Sequence, residues 1–164
     1  MALGALSGWT RSQKHVVAAS YLAWTFDALD FFALVFVLPD VAKQFDVGIP
    51  AVALAVTLTL AVRPLGAFLF GRLADDYGRR KVLIFNVSCY SVFGFATAFS
   101  TSLDVFLIIR ALFGVAMGGI WGIGASLAME TVQPKARGFV SGLLQSGYPS
   151  GYLIASLVFG ALYV

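Results

Sequence analysis

Five apolar runs constrain this chain more than any motif in it. They cover about Val17 to Leu38, Ile49 to Phe70, Val82 to Phe99, Leu103 to Met129 and Phe139 to Val164. Each approaches or exceeds the ~20 residues that a helix needs to cross the hydrocarbon core of a bilayer. The runs are continuous, whereas a spanning barrel strand alternates apolar and polar residues. With 60% hydrophobic and 12% charged residues, a soluble fold of this size could not bury its apolar surface. The expected fold is all-α and transmembrane. Short connectors carry turn chemistry: Pro39-Asp40 is expected to end the first span, and Gly48-Ile49-Pro50 to open the second. Ser100-Thr101-Ser102 and Gln133-Pro134-Lys135 separate the later ones.

The charges that remain fix a topology. The stretch from Gly71 to Lys81 is the densest charge cluster, and such density belongs in a loop at the water interface. Counting Arg and Lys, one side of the membrane collects Arg11, Lys14, Arg72, Arg79, Arg80, Lys81, Lys135 and Arg137, and the other only Lys43. The positive-inside rule then places the N-terminus in the cytoplasm of an integral protein of the inner or plasma membrane. The net charge of +3 is small and confined to loops, so nucleic acid is not an expected partner. The first residues lack a basic n-region and an h-region, so no signal peptide is expected. His15 reads as a solvated interfacial residue. Cys89 is the one cysteine; no metal-ligand spacing exists, and no cofactor or metal is expected. No nucleophile–base set is present, and Gly71 and Gly78 are wrongly spaced for a nucleotide loop, so an enzyme is not expected.

Four charges fall inside spans: Asp27, Asp30, Arg63 and Arg110. Each costs at least about 2.5–3.5 kcal/mol to insert, so each needs a partner or a wet cavity. Depth narrows the pairing. At ~1.5 Å per residue, Asp27 lies ~15 Å and Asp30 ~20 Å from the cytoplasmic start of the first span. Arg63 lies ~12 Å from the cytoplasmic end of the second span, and Arg110 ~10 Å below the outer face. Asp30 is therefore expected opposite Arg110, with Asp27 and Arg63 sharing a level nearer the cytoplasm. An arginine in such a cavity is a bidentate carboxylate receptor, and a neighbouring aspartate can carry a proton. Either Arg63 or Arg110 is the expected substrate anchor, and Asp27 or Asp30 the proton acceptor. Trp24, Gln145 and Tyr148 are candidate cavity-lining residues.

Glu130, Arg137 and Arg79-Arg80-Lys81 gather at the cytoplasmic face as candidates for a closing ion-pair network. Glycines recur every fourth residue at Gly114, Gly118 and Gly122, at Gly138 and Gly142, and at Gly147 and Gly151, a spacing expected to bring helix backbones close. Pro149 is expected to bend the fifth span.

Gly71-x-Leu73-Ala74-Asp75-x-x-Gly78-Arg79-Arg80-Lys81 resembles the loop signature of the major facilitator superfamily between its second and third helices. Arg110-x-x-x-Gly114 resembles its fourth-helix motif, and Glu130, Pro134 and Arg137-Gly138 its exit from that helix. A closer likeness, to the sialate and lactate proton-symporter branch, is carried by Trp24 to Phe32, Thr57 to Ala67, Gly118 to Gly122 and Gly142 to Pro149. The resemblance implies the first five helices of a twelve-helix fold built from inverted repeats. It implies a cytoplasmic gate of Gly71, Asp75, Gly78, Arg79, Arg80, Glu130 and Arg137. It further implies proton-coupled symport of a small monocarboxylate, lactate foremost, by alternating access. Sialate, aromatic or other organic acids are the alternative cargo.

Two features depart from that branch. Ile120 stands where its members often carry an acid after the paired glycines. The run stops at the far face after five spans, so the carboxy-terminal half is an expected missing partner. A truncated, non-transporting membrane remnant is the competing reading.

Overall fold

The computed structural model describes residues 8–163. The first seven residues, where the signal-peptide reading falls, and Val164 at the end of the fifth span lie outside the described residues. Within them the chain forms five long helices: α1 (Arg11–Gln44), α2 (Ile49–Tyr77), α3 (Arg79–Thr97), α4 (Leu103–Thr131) and α5 (Arg137–Tyr163). A single 3-10 turn, Pro134–Ala136, joins the last two. Of these, α1, α2 and α4 are long and apolar enough to cross a membrane by length and composition alone. Helix α3 opens on three basic residues, and α5 is diluted by Gly, Ser, Tyr and Pro149.

Helices α2 and α4 start at the expected residues, whereas α1, α3 and α5 start earlier, at Arg11, Arg79 and Arg137, and α1 and α2 run well past their expected ends. Thr10 Oγ1 accepts from the Gln13 amide at 3.2 Å while Gln13 Oε1 accepts from the Thr10 amide at 2.9 Å, a reciprocal cap for α1. Ser102 Oγ caps α4 by accepting from the Val105 amide. The expected stop at Pro39-Asp40 is corrected: α1 runs on to Gln44 with Pro39 inside it. The extra turn is held by packing, because Leu38, Val41, Ala42 and Phe45 meet Val52, Ala55 and Phe106. The Gly71–Lys81 loop is likewise corrected. Helix α2 continues to Tyr77 and α3 begins at Arg79, so Gly78 alone makes the turn. Its φ of 91° is a backbone state that a side chain would strain. The charge still sits at the water interface, but on helix ends.

Helix α4 is the hub. Three neighbours each donate a side chain to one of its backbone carbonyls. Ser20 of α1 bonds Gly124 at 3.2 Å, Thr59 of α2 bonds Arg110 at 3.1 Å, and Asn86 of α3 bonds Ala116 at 2.6 Å. Glycine lets α2 and α4 touch along their backbones. A Cβ on Gly66 would strike Val115, on Gly114 would strike Thr59, and on Gly118 would strike the Arg63 carbonyl. Gly147 and Gly151 do the same for α5 against Tyr21, Thr25 and Ala28 of α1. Gly122, Gly138 and Gly142 do not show the expected close approach among the described residues, none of which lies within 4 Å of a Cβ built on them.

This contrast yields a test. Gly114→Val must displace Thr59 backbone and should destabilise the fold by about 1–3 kcal/mol, the usual cost of overpacking. Gly142→Ala should leave thermal stability in detergent unchanged or slightly raised. Equal melting temperatures for the two variants would refute the glycine-seam account.

Candidate functional site

The four intramembrane charges pair as their depths require. Arg63 Nη2 donates to Asp27 Oδ1 at 3.2 Å, and Arg110 Nη1 donates to Asp30 Oδ2 at 3.0 Å. Helix α1 presents both acids to the same neighbour region because they are one turn apart. The two pairs differ in what surrounds them.

Asp27 is fully buried. Its second oxygen accepts from Trp121 Nε1 at 2.9 Å, so both carboxylate oxygens are held. Arg63 is held less completely. Nη2 carries the bond to Asp27 and a 3.0 Å contact with Met117 Sδ, while Nε is buried without a partner among the described residues. The guanidinium therefore retains unused N–H groups, with its side chain 19% exposed. Trp121 is itself open at the surface and stacks on Trp24 with centroids 5.1 Å apart. Tyr148 of α5 meets Trp121 edge-on at 6.0 Å and Phe32 at 5.5 Å. Arg63, Trp121 and Tyr148 thus form a wall with one cationic fork and two aromatic faces.

Arg110 is more enclosed. Its side chain is 7% exposed and its guanidinium lies 4.9 Å from the Phe113 ring centre, a cation–π contact. Its Nε, like that of Arg63, is buried without a partner among the described residues, and Asp30 and Arg110 together border a cavity of about 270 Å³ between the second half of α1, the end of α3 and the start of α4.

Other expected site residues separate. Trp24 is buried beneath Trp121 and turns no face outward, so the expectation that it lines the cavity is corrected. Gln145 is exposed on α5. Ile120 is wholly buried beside Phe113, Met117 and Ala23, in an apolar cluster. Gly71, Asp75 and Arg79 border one cavity of about 230 Å³ with Gly118, Gly119 and Gly122 of α4, and Arg79 forms an ion pair with Glu130. Arg137 Nε caps the Met129 carbonyl at 3.1 Å, and Gly78 makes the turn. Arg80 does not join this group; it faces a different groove, towards α1. In the sequence Trp121 stands out only as part of the glycine-rich stretch Gly118 to Gly122. Its signal was a lone indole donor among small residues, one turn beyond Met117.

Residues 21–164 match the Major Facilitator Superfamily. The chain belongs to that superfamily. It is 35% identical over 147 residues to a protein named for niacin and nicotinamide transport in Bacillus subtilis, covering 90% of this chain and 37% of that protein. It is 31% identical over 141 residues to a carboxylic acid transporter homolog of Saccharomyces cerevisiae, covering 86% of this chain and 23% of that one. A sialic acid transporter of Escherichia coli is 25% identical over 146 residues, with 89% and 36% covered. The chain thus spans about a quarter to just over a third of the length of these relatives. The family is one of membrane transporters, and the five helices fit the amino-terminal part of its fold.

The two ion pairs should differ energetically. Removing one partner of a buried pair costs about 3–5 kcal/mol because it strands the other charge. Double-mutant cycles with Asp27→Asn/Arg63→Gln and Asp30→Asn/Arg110→Gln, read by thermal unfolding, should give the larger coupling for the first pair. Asp30 is half-open to solvent, and screening weakens exposed pairs. A larger coupling for Asp30–Arg110 would contradict this ranking.

Proposed function

We propose that this chain forms part of the amino-terminal helical half of a carrier that moves a small organic monocarboxylate together with a proton. Alternating access would place its site between two rocking halves, the second lying outside this chain. The supporting observation is the one-handed grip of Arg63 on Asp27. An incoming carboxylate finds free guanidinium N–H groups and competes for the occupied one. Once Asp27 loses Arg63 it cannot stay as an unpaired buried anion, and it takes a proton instead. Substrate and proton then enter as a pair. Arg63 is the substrate anchor in this reading, Asp27 the proton carrier, and Trp121 the donor that keeps Asp27 in place. Tyr148 and Gln145 border the substrate path. Asp30 and Arg110 serve as the outer, more structural pair.

The burial of Ile120 bears on coupling. An acid at that position would sit among Phe113 and Met117, so here the proton role falls to α1. Asp75, Arg79 and Glu130 form the cytoplasmic latch, with Gly71 and Gly78 shaping it. The basic helix ends support a reading in which the N-terminus is cytoplasmic and the carrier sits in an inner or plasma membrane.

Lactate is the first cargo to test. A second reading is favoured by the wall of Trp121 and Tyr148, whose faces suit a planar unsaturated acid such as niacin. Competition of labelled lactate uptake by nicotinate and by sialate separates these cargoes.

In proteoliposomes, Asp27→Asn should abolish proton-driven accumulation while sparing substrate exchange. Arg63→Lys should raise KM about tenfold or more, since an ammonium cannot make the bidentate contact. Proton-driven accumulation by the Asp27→Asn carrier would remove Asp27 from the coupling step.

A further inference from the structure

Met117 of α4 is buried among apolar side chains, yet its sulfur meets a guanidinium. Sδ lies 3.0 Å from Arg63 Nη2, the same nitrogen that donates to Asp27 Oδ1 at 3.2 Å. Trp121, one turn further along α4, donates to the other oxygen of Asp27. Helix α4 therefore holds both members of the ion pair, each by a neutral group. The thioether is fixed in place. It packs with Ala23, Phe113 and Ile120, and the next residue, Gly118, brings the α4 backbone against the Arg63 carbonyl.

Nη2 decides how an arginine grips a carboxylate. A two-point grip uses either Nε and Nη2 or Nη1 and Nη2, so each needs a hydrogen of Nη2. Nη2 has two hydrogens and meets two acceptors, Asp27 and Met117. Nη1 alone offers a single-point contact. An arriving carboxylate must therefore evict one of the two occupants. Asp27 has an exit, because it can leave as a neutral acid. Met117 has none, because an anionic oxygen in its place would enter an apolar cluster unpaired. Asp30, the other acid of α1, is already held by Arg110.

We propose that Met117 makes the proton obligatory: by occupying the second N–H of Nη2, it leaves a carboxylate no two-point grip on Arg63 except the one that displaces Asp27. This rests on the reading of Arg63 as anchor and Asp27 as proton carrier. It adds the residue that stops substrate from binding beside an intact pair. As the substrate takes Nη2, Asp27 gains one proton from water in the cavity, and no other covalent bond forms or breaks. Met117 touches Arg63 and acts through it, so it is a positioning residue.

The test measures protons moved per substrate in proteoliposomes of the intact carrier, with labelled lactate or nicotinate, whichever it accumulates. Met117→Leu keeps the volume and removes the acceptor. The freed N–H then allows a second grip with Asp27 still paired. Two grips of equal strength fill equally, so the ratio should fall about twofold while substrate exchange continues. Met117→Gln suits the apolar cluster less well but returns an acceptor, and should restore the wild-type ratio. Packing alone predicts the opposite order, with leucine nearer the wild type. A wild-type ratio in Met117→Leu, or equal losses in both variants, would overturn the proposal. Asp27→Asn separates the two levels. Coupling that survives in Asp27→Asn removes the transport reading and this proposal with it. Coupling lost in Asp27→Asn but intact in Met117→Leu removes the role of Met117 alone.

Discussion

A charge inside a bilayer protein must be paired, and the Asp27–Arg63 pair is the point on which this structure turns. Asp27 is fully buried, so its two oxygens take donors from two other helices, Arg63 at 3.2 Å and Trp121 at 2.9 Å. That requirement draws α1, α2 and α4 together at one level. It also creates an asymmetry, because Asp27 is fully satisfied and Arg63 is not. A pair with one saturated and one unsaturated member can be opened by a competing carboxylate. On the proposed reading it is more than a structural staple.

The rest of the fold keeps that pair in register. Helix α4 carries Met117 and Trp121 against it and is anchored to its neighbours through its own carbonyls. Apolar side chains are as content with lipid as with each other, so close backbone contact and hydrogen bonds must hold such helices. Gly114 and Gly118 supply the contact, while Ser20, Thr59 and Asn86 supply the bonds. At the basic end, Arg79 and Glu130 join α3 to α4 across the single-residue turn at Gly78.

Much of this was legible in the sequence because few physical rules operate on it. Hydrocarbon thickness made the helices visible, and the cost of buried charge made their pairing computable from depth along the chain. Helix ends were read less well. Pro39 is a breaker only where packing does not hold the next turn, and here Phe45 and Phe106 hold it. The charged stretch after Gly71 stays helical because a helix end in water tolerates charge as readily as a loop does. Spacing alone could not tell that Gly118 meets Arg63 while Gly142 meets nothing among the described residues, since facing direction depends on helix rotation. Trp121 was hidden because its role depends on a partner 94 residues away.

The central claim is that substrate takes Arg63 and leaves Asp27 to a proton. Infrared difference spectroscopy of the intact carrier tests it directly, through the carbonyl band of a protonated carboxylic acid. Adding substrate should produce that band in the wild type and not in Asp27→Asn. A band of equal intensity in the Asp27→Asn protein would contradict the account.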